Sequence, residues 1–332
     1  MEFTDKIQST SKIKLDLKDK KILRILSDNS RTPSTQIAKQ VGLSRDSVEY
    51  RIKNYEKSGL IEGYRTLVNI HYFGYINYHL FIKLNNPSQK VESNIIKKLV
   101  NIPNIRALLR FNGNFDYEIA LICKDISELD DIITKIHTAC EGFLQYYEIL
   151  PIVKNYVVDT FPPNFSESLP YKKIKHINHK VDKKDIDILK ILGENAKTPY
   201  YEIAEKVRLS ADAVSYRVKK MIDAGIIIKF IPSINHRIIG YEMYAILLNI
   251  NFLDEKKEKQ LVSFLKNDPN ILWGVKTLGK YNLLSYVLVH DINDFHETLL
   301  NLRKLFPKDI TRYEALINFD RYKYVYFPKD LF

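Results

Sequence analysis

One segment occurs twice. "GLSRDSVEYRIKNYEKSGLI" (Gly42–Ile61) and "RLSADAVSYRVKKMIDAGII" (Arg208–Ile227) share Leu-Ser, Val, Tyr-Arg, Lys and a closing Gly before isoleucine, 166 residues apart. The same ungapped offset aligns Asp16 with Asp182, Leu23 with Leu189 and Thr32-Pro33 with Thr198-Pro199. It also aligns Gly74-Tyr75 with Gly240-Tyr241, Pro103 with Pro269, Gly113 with Gly279 and Phe161-Pro162 with Phe327-Pro328. The 332 residues are therefore two versions of one unit, far longer than the roughly 20–45 residues of a solenoid repeat. Any fold proposed for one half must serve the other.

Within a unit the hydrophobic period changes. Ile22, Leu23 and Leu26 recur at helical spacing, and Asp16 can cap that helix. Thr32 is expected as the next N-cap with Pro33 in the first helical position, and Gly42 suits the left-handed turn that ends the helix. Ser44 caps a third helix with Val48, Ile52 and Tyr55 on one face and Gly59 closing it. Three short helices with a tight turn between the last two make a helix-turn-helix. After Tyr64 the pattern becomes period-two: Tyr78, Leu80, Ile82 and Leu84 fall on one face of a strand. A helix over "SQKVESNIIKKLV" follows, then a hairpin turning at Asn112-Gly113-Asn114. A helix starting at Asp125 with Glu128 and a last strand over "FLQYYEIL" complete the unit.

The order β-α-β-β-α-β is the ferredoxin-like sandwich, so the fold class is α+β: a helix-turn-helix followed by a sandwich, twice. The expected organisation is a tail (1–14), a helix-turn-helix (15–64), a sandwich (65–163) and a linker (164–180). A second helix-turn-helix (181–230) and a second sandwich (231–332) follow.

Charge points to the ligand of the first part. The chain carries +11 at pH 7, which favours polyanions. Leu15–Leu60 has 10 Lys/Arg against 6 Asp/Glu, Val181–Ile226 has 9 against 8, and the linker adds four lysines against one glutamate. In a helix-turn-helix the second helix enters the DNA major groove. The stripe Val48, Ile52, Tyr55 leaves Arg45, Asp46, Ser47, Glu49, Tyr50, Lys53 and Asn54 available. Arg51 and Arg217, at the edge of this face, suit phosphate contact. Thr35, Gln36 and Ser44 complete the first candidate set. The second is Ser210, Ala211, Asp212, Ser215, Tyr216, Lys219 and Lys220. Double-stranded DNA is the expected partner.

The run "LDLKDKKILRILSDNSRTPSTQIAKQVGLSRDSVEYRIKNYEKSGLIEGY", with hairpins "FNGNFDYEIALI" and "LGKYNLLSYVLV", resembles the Lrp/AsnC (feast/famine) transcriptional regulators. The resemblance covers nearly the whole chain, twice. It implies a DNA reader, a connecting strand, and a sensing domain that dimerises through its sheet and binds an amino acid or similar metabolite near the hairpin loop. Carried onto this chain, the effector loop is Gly113, Asn114, Phe115 and Asp116, and again Gly279, Lys280, Tyr281 and Asn282. Asn282 and Arg208 depart from the family's acidic and glycine positions. Fusion of two units implies an intramolecular pseudo-dimer, with further homo-oligomers possible.

Other chemistry finds little footing. Cys123 and Cys140 stand where the second unit has Val289 and Phe306, so they read as core residues. His176 and His179 lack a third ligand at zinc-like spacing, so neither a metal nor a cofactor is expected. Phosphate-cradling glycine loops and nucleophile elbows are absent from the sequence. No apolar run approaches the roughly 18–20 residues of a membrane span, and a signal sequence is missing, so the expected location is the cytoplasm without membrane association. Two alternatives to a regulator are an architectural DNA-binding protein and an enzyme resembling the sirohaem decarboxylases. Against the latter, "NIRALLRFNGNFDY" and "NILWGVKTLGKYN" contain no histidine; a non-enzyme is expected.

Overall fold

The computed structural model describes residues 13–166, 179–251 and 253–332. Unit one runs α1 (Leu17–Asp28), α2 (Ser34–Val41), α3 (Arg45–Lys57), β1 (Ile61–Val68), β2 (Ile76–Leu84), α4 (Gln89–Val100), β3 (Ile105–Asn112), β4 (Tyr117–Cys123), α5 (Ile126–Ala139) and β5 (Leu144–Val158). Unit two repeats this order as α6 (Lys183–Glu194), α7 (Tyr200–Val207), α8 (Ala211–Asp223), β6 (Ile227–Ile234), β7 (Glu242–Ile250), α9 (Glu255–Asn267), β8 (Ile271–Thr277), β9 (Leu283–Val289), α10 (Ile292–Leu305) and β10 (Ile310–Tyr324).

Local chemistry sets most helix ends. Asp16 and Asp19 form a reciprocal capping box at α1, as do Asp182 and Asp185 at α6. Ser44 and Ser210 accept the backbone N–H of Ser47 and Ala213. Gly42 ends α2 at φ +65°, and Arg208 adopts the same left-handed conformation at φ +55°. Thr32 is not an N-cap. Its hydroxyl donates to the Asn29 carbonyl, and Pro33, extended at ψ 140°, takes the cap position itself, so α2 begins at Ser34.

Each sandwich has the strand order β3-β4-β2-β5 or its equivalent β8-β9-β7-β10, with two helices on the outer face. The two sheets then join edge to edge, β10 on β3 and β5 on β8, into a closed eight-stranded barrel. Asn318 lies opposite Phe111 at one seam and Ile152 opposite Thr277 at the other, positions that the 166-residue shift interchanges. Closure leaves no unpaired edge in the ring.

Closure explains two departures from the sequence reading. β5 is longer than "FLQYYEIL" because its first half pairs with β2 and its second half with β8. β2 is buried on both faces. Leu80 and Ile82 belong to the core with the helices of their own unit, while Phe81 belongs to the barrel-interior core with Leu247, Leu284 and Leu316 of unit two.

The heads are also joined. β1 pairs antiparallel with β6, Ile61 opposite Ile234 and Val68 opposite Ile227, so both strands straddle the expected boundaries at 64/65 and 230/231. α1 packs on β6 and α6 on β1, each head leaning on the other unit's strand. Arg31 of unit one donates to the Ala196 and Thr198 carbonyls at 2.6 and 3.0 Å. Leu23, Val48, Tyr64, Leu189, Val214 and Phe230 belong to a single core, which Phe161 and Phe327 from the sandwich tails complete.

Candidate nucleic-acid interface and sensing loops

α3 and α8 present their apolar stripes inward: Val48, Ile52 and Tyr55 are buried, as are Val214, Val218 and Met221. This leaves Thr35, Gln36, Ser44, Arg45, Asp46, Ser47, Tyr50, Lys53 and Asn54 exposed on head one. Ser210, Asp212, Ser215, Tyr216 and Lys219 are exposed on head two, and Lys220 lies half-buried over the Tyr216 ring at 4.8 Å. Tyr50 and Tyr216 are 67% and 59% exposed, unlike Tyr55, Tyr64 and Tyr241, which are buried in the heads' core. Arg45 Nε bonds Glu49 Oε1 at 2.8 Å, a surface pair weak enough for DNA to replace.

Arg51 and Arg217, expected at the edge of the exposed face as phosphate contacts, each use Nη1 inside their own head. Arg51 Nη1 donates to Asp16 at 2.9 Å and Asp19 at 2.5 Å, and Arg217 Nη1 to Asp182 and Asp185 at 2.8 and 2.9 Å. The carboxylates that cap the first helix thus capture the arginine of the third, holding both guanidiniums above their ordinary range. Tyr55 donates to Asp19 at 2.5 Å. Its counterpart is Met221, and in unit two His179 Nε2 takes that place, 3.0 Å from Asp185. His176 lies outside the described residues.

The hairpin loops sit on the opposite unit. Gly113, at φ +140°, has no room for a side chain: a Cβ would come within 2.7 Å of the buried Leu316 Cδ2. Asn114 Nδ2 donates to Glu314 Oε2 of unit two at 2.6 Å, and Tyr146 donates to the Asn114 carbonyl. Asp116 is occupied, accepting the Leu84 N–H at 2.8 Å and pairing with Lys83 at 2.8 Å. Asn282 does the same backbone work, accepting the Ile250 N–H at 2.9 Å and donating to the Ile250 carbonyl at 2.7 Å. An acid is therefore unnecessary in unit two for holding the strand. Gly279 approaches the Ile149 carbonyl of unit one, and Lys280 covers the Tyr281 ring at 5.4 Å. A cavity of about 270 Å³ lies elsewhere, between α6 and the end of β10, with Arg65, Glu194, Lys323 and Lys329 in its lining.

Cys123 and Cys140 are fully buried, and burial pushes both thiols up to about 11, as core residues rather than reactive ones. No helix of the described residues is long and apolar enough to cross a membrane.

Two helix-turn-helix heads on one core, each with a polar recognition helix facing solvent, define a DNA-binding protein. The sequence pattern of winged helix-turn-helix DNA-binding domains matches residues 15–62 and 181–228. The transcriptional regulator LrpA of Pyrococcus horikoshii is 34% identical over 120 residues, covering 36% of this chain and 84% of the relative. The regulatory protein AsnC of Haemophilus influenzae is 29% identical over 150 residues, 45% of this chain and 98% of the relative. The chain belongs to the Lrp/AsnC family of transcriptional regulators. Over its whole length it is also similar to the siroheme decarboxylase NirDL, with a TM-score of 0.61 covering 93% of each chain. At 13% identity that likeness shows a shared fold.

Proposed function

We propose that this regulator works as a single-chain pseudo-dimer whose operator is two unlike half-sites, one met by α3 and the other by α8. The observation that carries this reading is the pairing of like frames with unlike surfaces. The heads share a core and a two-stranded sheet, yet Arg45, Ser47, Glu49 and Asn54 correspond to Ala211, Ala213, Ser215 and Lys220. Half-sites of such dimers lie one helical turn, roughly 34–36 Å, or a multiple apart. Selection of bound duplexes from a random pool at fixed salt tests it. A non-palindromic consensus with two distinct blocks is expected, and a palindrome overturns the reading.

The effector in this reading is an amino acid or similar metabolite, met at Gly113, Asn114 and Asp116 or at Gly279, Lys280 and Asn282. The cross-unit contact of Asn114 with Glu314 supports it, because a ligand there touches both units. Thermal-shift screening of amino acids on wild type and Asn114→Ala tests the loop; equal stabilisation of both removes it from the site.

A second reading, decarboxylation of a sirohaem-like tetrapyrrole, is favoured by the whole-chain similarity to NirDL. Absorbance titration with sirohaem separates the two: no binding and no product leave the regulator alone.

A further inference from the structure

Inside the barrel, four residues meet across the two units. His79 Nδ1 and the Tyr286 hydroxyl both bond Glu118 Oε1. Trp273 stacks on His79, with 5.4 Å between centroids, and on Tyr286 at 4.8 Å. Glu118 is 1% exposed, and its Oε2 has no hydrogen-bond partner among the described residues. The carboxyl therefore depends on His79 from its own unit and Tyr286 from the other. Burial beside Glu118 holds the Tyr286 phenol well above its usual value, so it remains the donor.

The cluster occurs once. Because the two seams interchange under the 166-residue shift, the barrel has a pseudo-twofold axis and each member has a counterpart. His79 corresponds to Ala245, Glu118 to Leu284, Trp273 to Ala107 and Tyr286 to Ala120. The cluster spans the axis, Glu118 on β4 meeting Tyr286 on β9, and the counterpart positions hold only small or aliphatic residues.

We propose that this cluster is a key that makes unit one pair with unit two and rejects pairing of either unit with its own kind. With unit one on unit one, two Glu118 carboxyls would face Ala107 and Ala120, each buried without its phenol donor and over the space that two aromatic rings fill here. With unit two on unit two, Trp273 and Tyr286 would face Ala245 and Leu284, leaving the Tyr286 hydroxyl without its acceptor. The penalty on wrong pairs is what creates the specificity. It bars like units of two chains, and any single-unit partner lacking the matching half, from pairing through the barrel.

This inference rests on the single-chain reading above, and the full chain tests it by sedimentation velocity over a concentration series. The variant His79→Ala/Glu118→Leu/Trp273→Ala/Tyr286→Ala erases the key. It is expected to form multi-chain species, self-associating at least about ten-fold more tightly than wild type. A second variant adds Ala107→Trp/Ala120→Tyr/Ala245→His/Leu284→Glu, rebuilding the key across the axis, and is expected to return to a single-chain species. The rebuilt variant also covers the case in which the erased one fails to fold. An erased variant that stays single-chain overturns the key, and so does a rebuilt variant no better than the erased one. Wild type sedimenting as two chains throughout would overturn the single-chain reading alone, and is recognised without any substitution.

Discussion

The tails of the two sandwiches show how far two copies of one unit have parted. In unit one, Arg24 on α1 is 5% exposed and gathers the chain that leaves the sandwich. It donates to Asp159, to the Phe161 and Pro162 carbonyls and to Ser166 at 3.0–3.3 Å. Its counterpart Lys190 is half-buried, and the corresponding tail runs Phe327–Phe332 with Val325 in place of Asp159. Backbone frame and seam register are common to both units, while the side chains that tie, read and pair are specific to each. A duplicated chain keeps what closes the barrel and is free to change what decorates it.

The largest expected effect tests that difference in the tails. Arg24→Ala removes the guanidinium that donates to the buried Phe161 and Pro162 carbonyls and pairs with Asp159, and should destabilise the chain by about 2–4 kcal/mol in urea unfolding. Lys190→Ala should stay within ~0.5 kcal/mol. Equal losses would mean that the tails are held alike.

Next comes the ranking of the heads. Arg45→Ala should weaken specific DNA binding by about 1–3 kcal/mol if its guanidinium reads a guanine, measured at fixed salt. Lys219→Ala or Lys220→Ala on head two should weaken it less, in keeping with the smaller basic excess there. A silent Arg45→Ala beside crippled head-two variants reverses the ranking.

Arg51 sharpens the picture within head one. Since its Nη1 is held by Asp16 and Asp19, Arg51→Ala should lower stability by ~0.5–1.5 kcal/mol and leave the salt dependence of DNA binding unchanged. Lys53→Ala should reduce the salt slope by about 1 if it meets a phosphate. A reduced slope for Arg51→Ala would return it to the DNA contacts.

The smallest effect lies in the turn before each recognition helix. Gly42 and Arg208 share a left-handed conformation that disfavours side chains. Arg208→Gly should therefore raise stability by up to ~1 kcal/mol, and Gly42→Ala should lower it by about 1 kcal/mol. Unchanged midpoints for both would mean that the turn relaxes.

Much of this was legible in the sequence because it is local. Capping residues, the narrow stripe of α3, the glycine of the hairpin and the change from helical to alternating period each act within a few residues. The parts that escaped depend on the other unit. Phe81 looks like the solvent side of a strand until a second sheet covers it, and the connecting strand β1 does not reveal in sequence that its partner is β6 of the other unit. Arg51 reads as a surface cation because nothing in its helix reveals that a capping box 32–35 residues earlier faces it. Asp116 reads in the sequence equally as a ligand partner or a backbone cap, and the structure adds that it accepts the Leu84 N–H.

The central claim is that one chain reads two different half-sites through two unlike heads. Quantitative binding to the selected operator and to its two symmetrised forms, left-left and right-right, tests this most directly, with chain stoichiometry measured on each complex. The account predicts one chain per operator and weaker binding to both palindromes, by at least ten-fold for the one that duplicates the head-two half-site, since each mismatched base pair costs about 1–3 kcal/mol. Equal or tighter binding to either palindrome, with two chains bound, would contradict it.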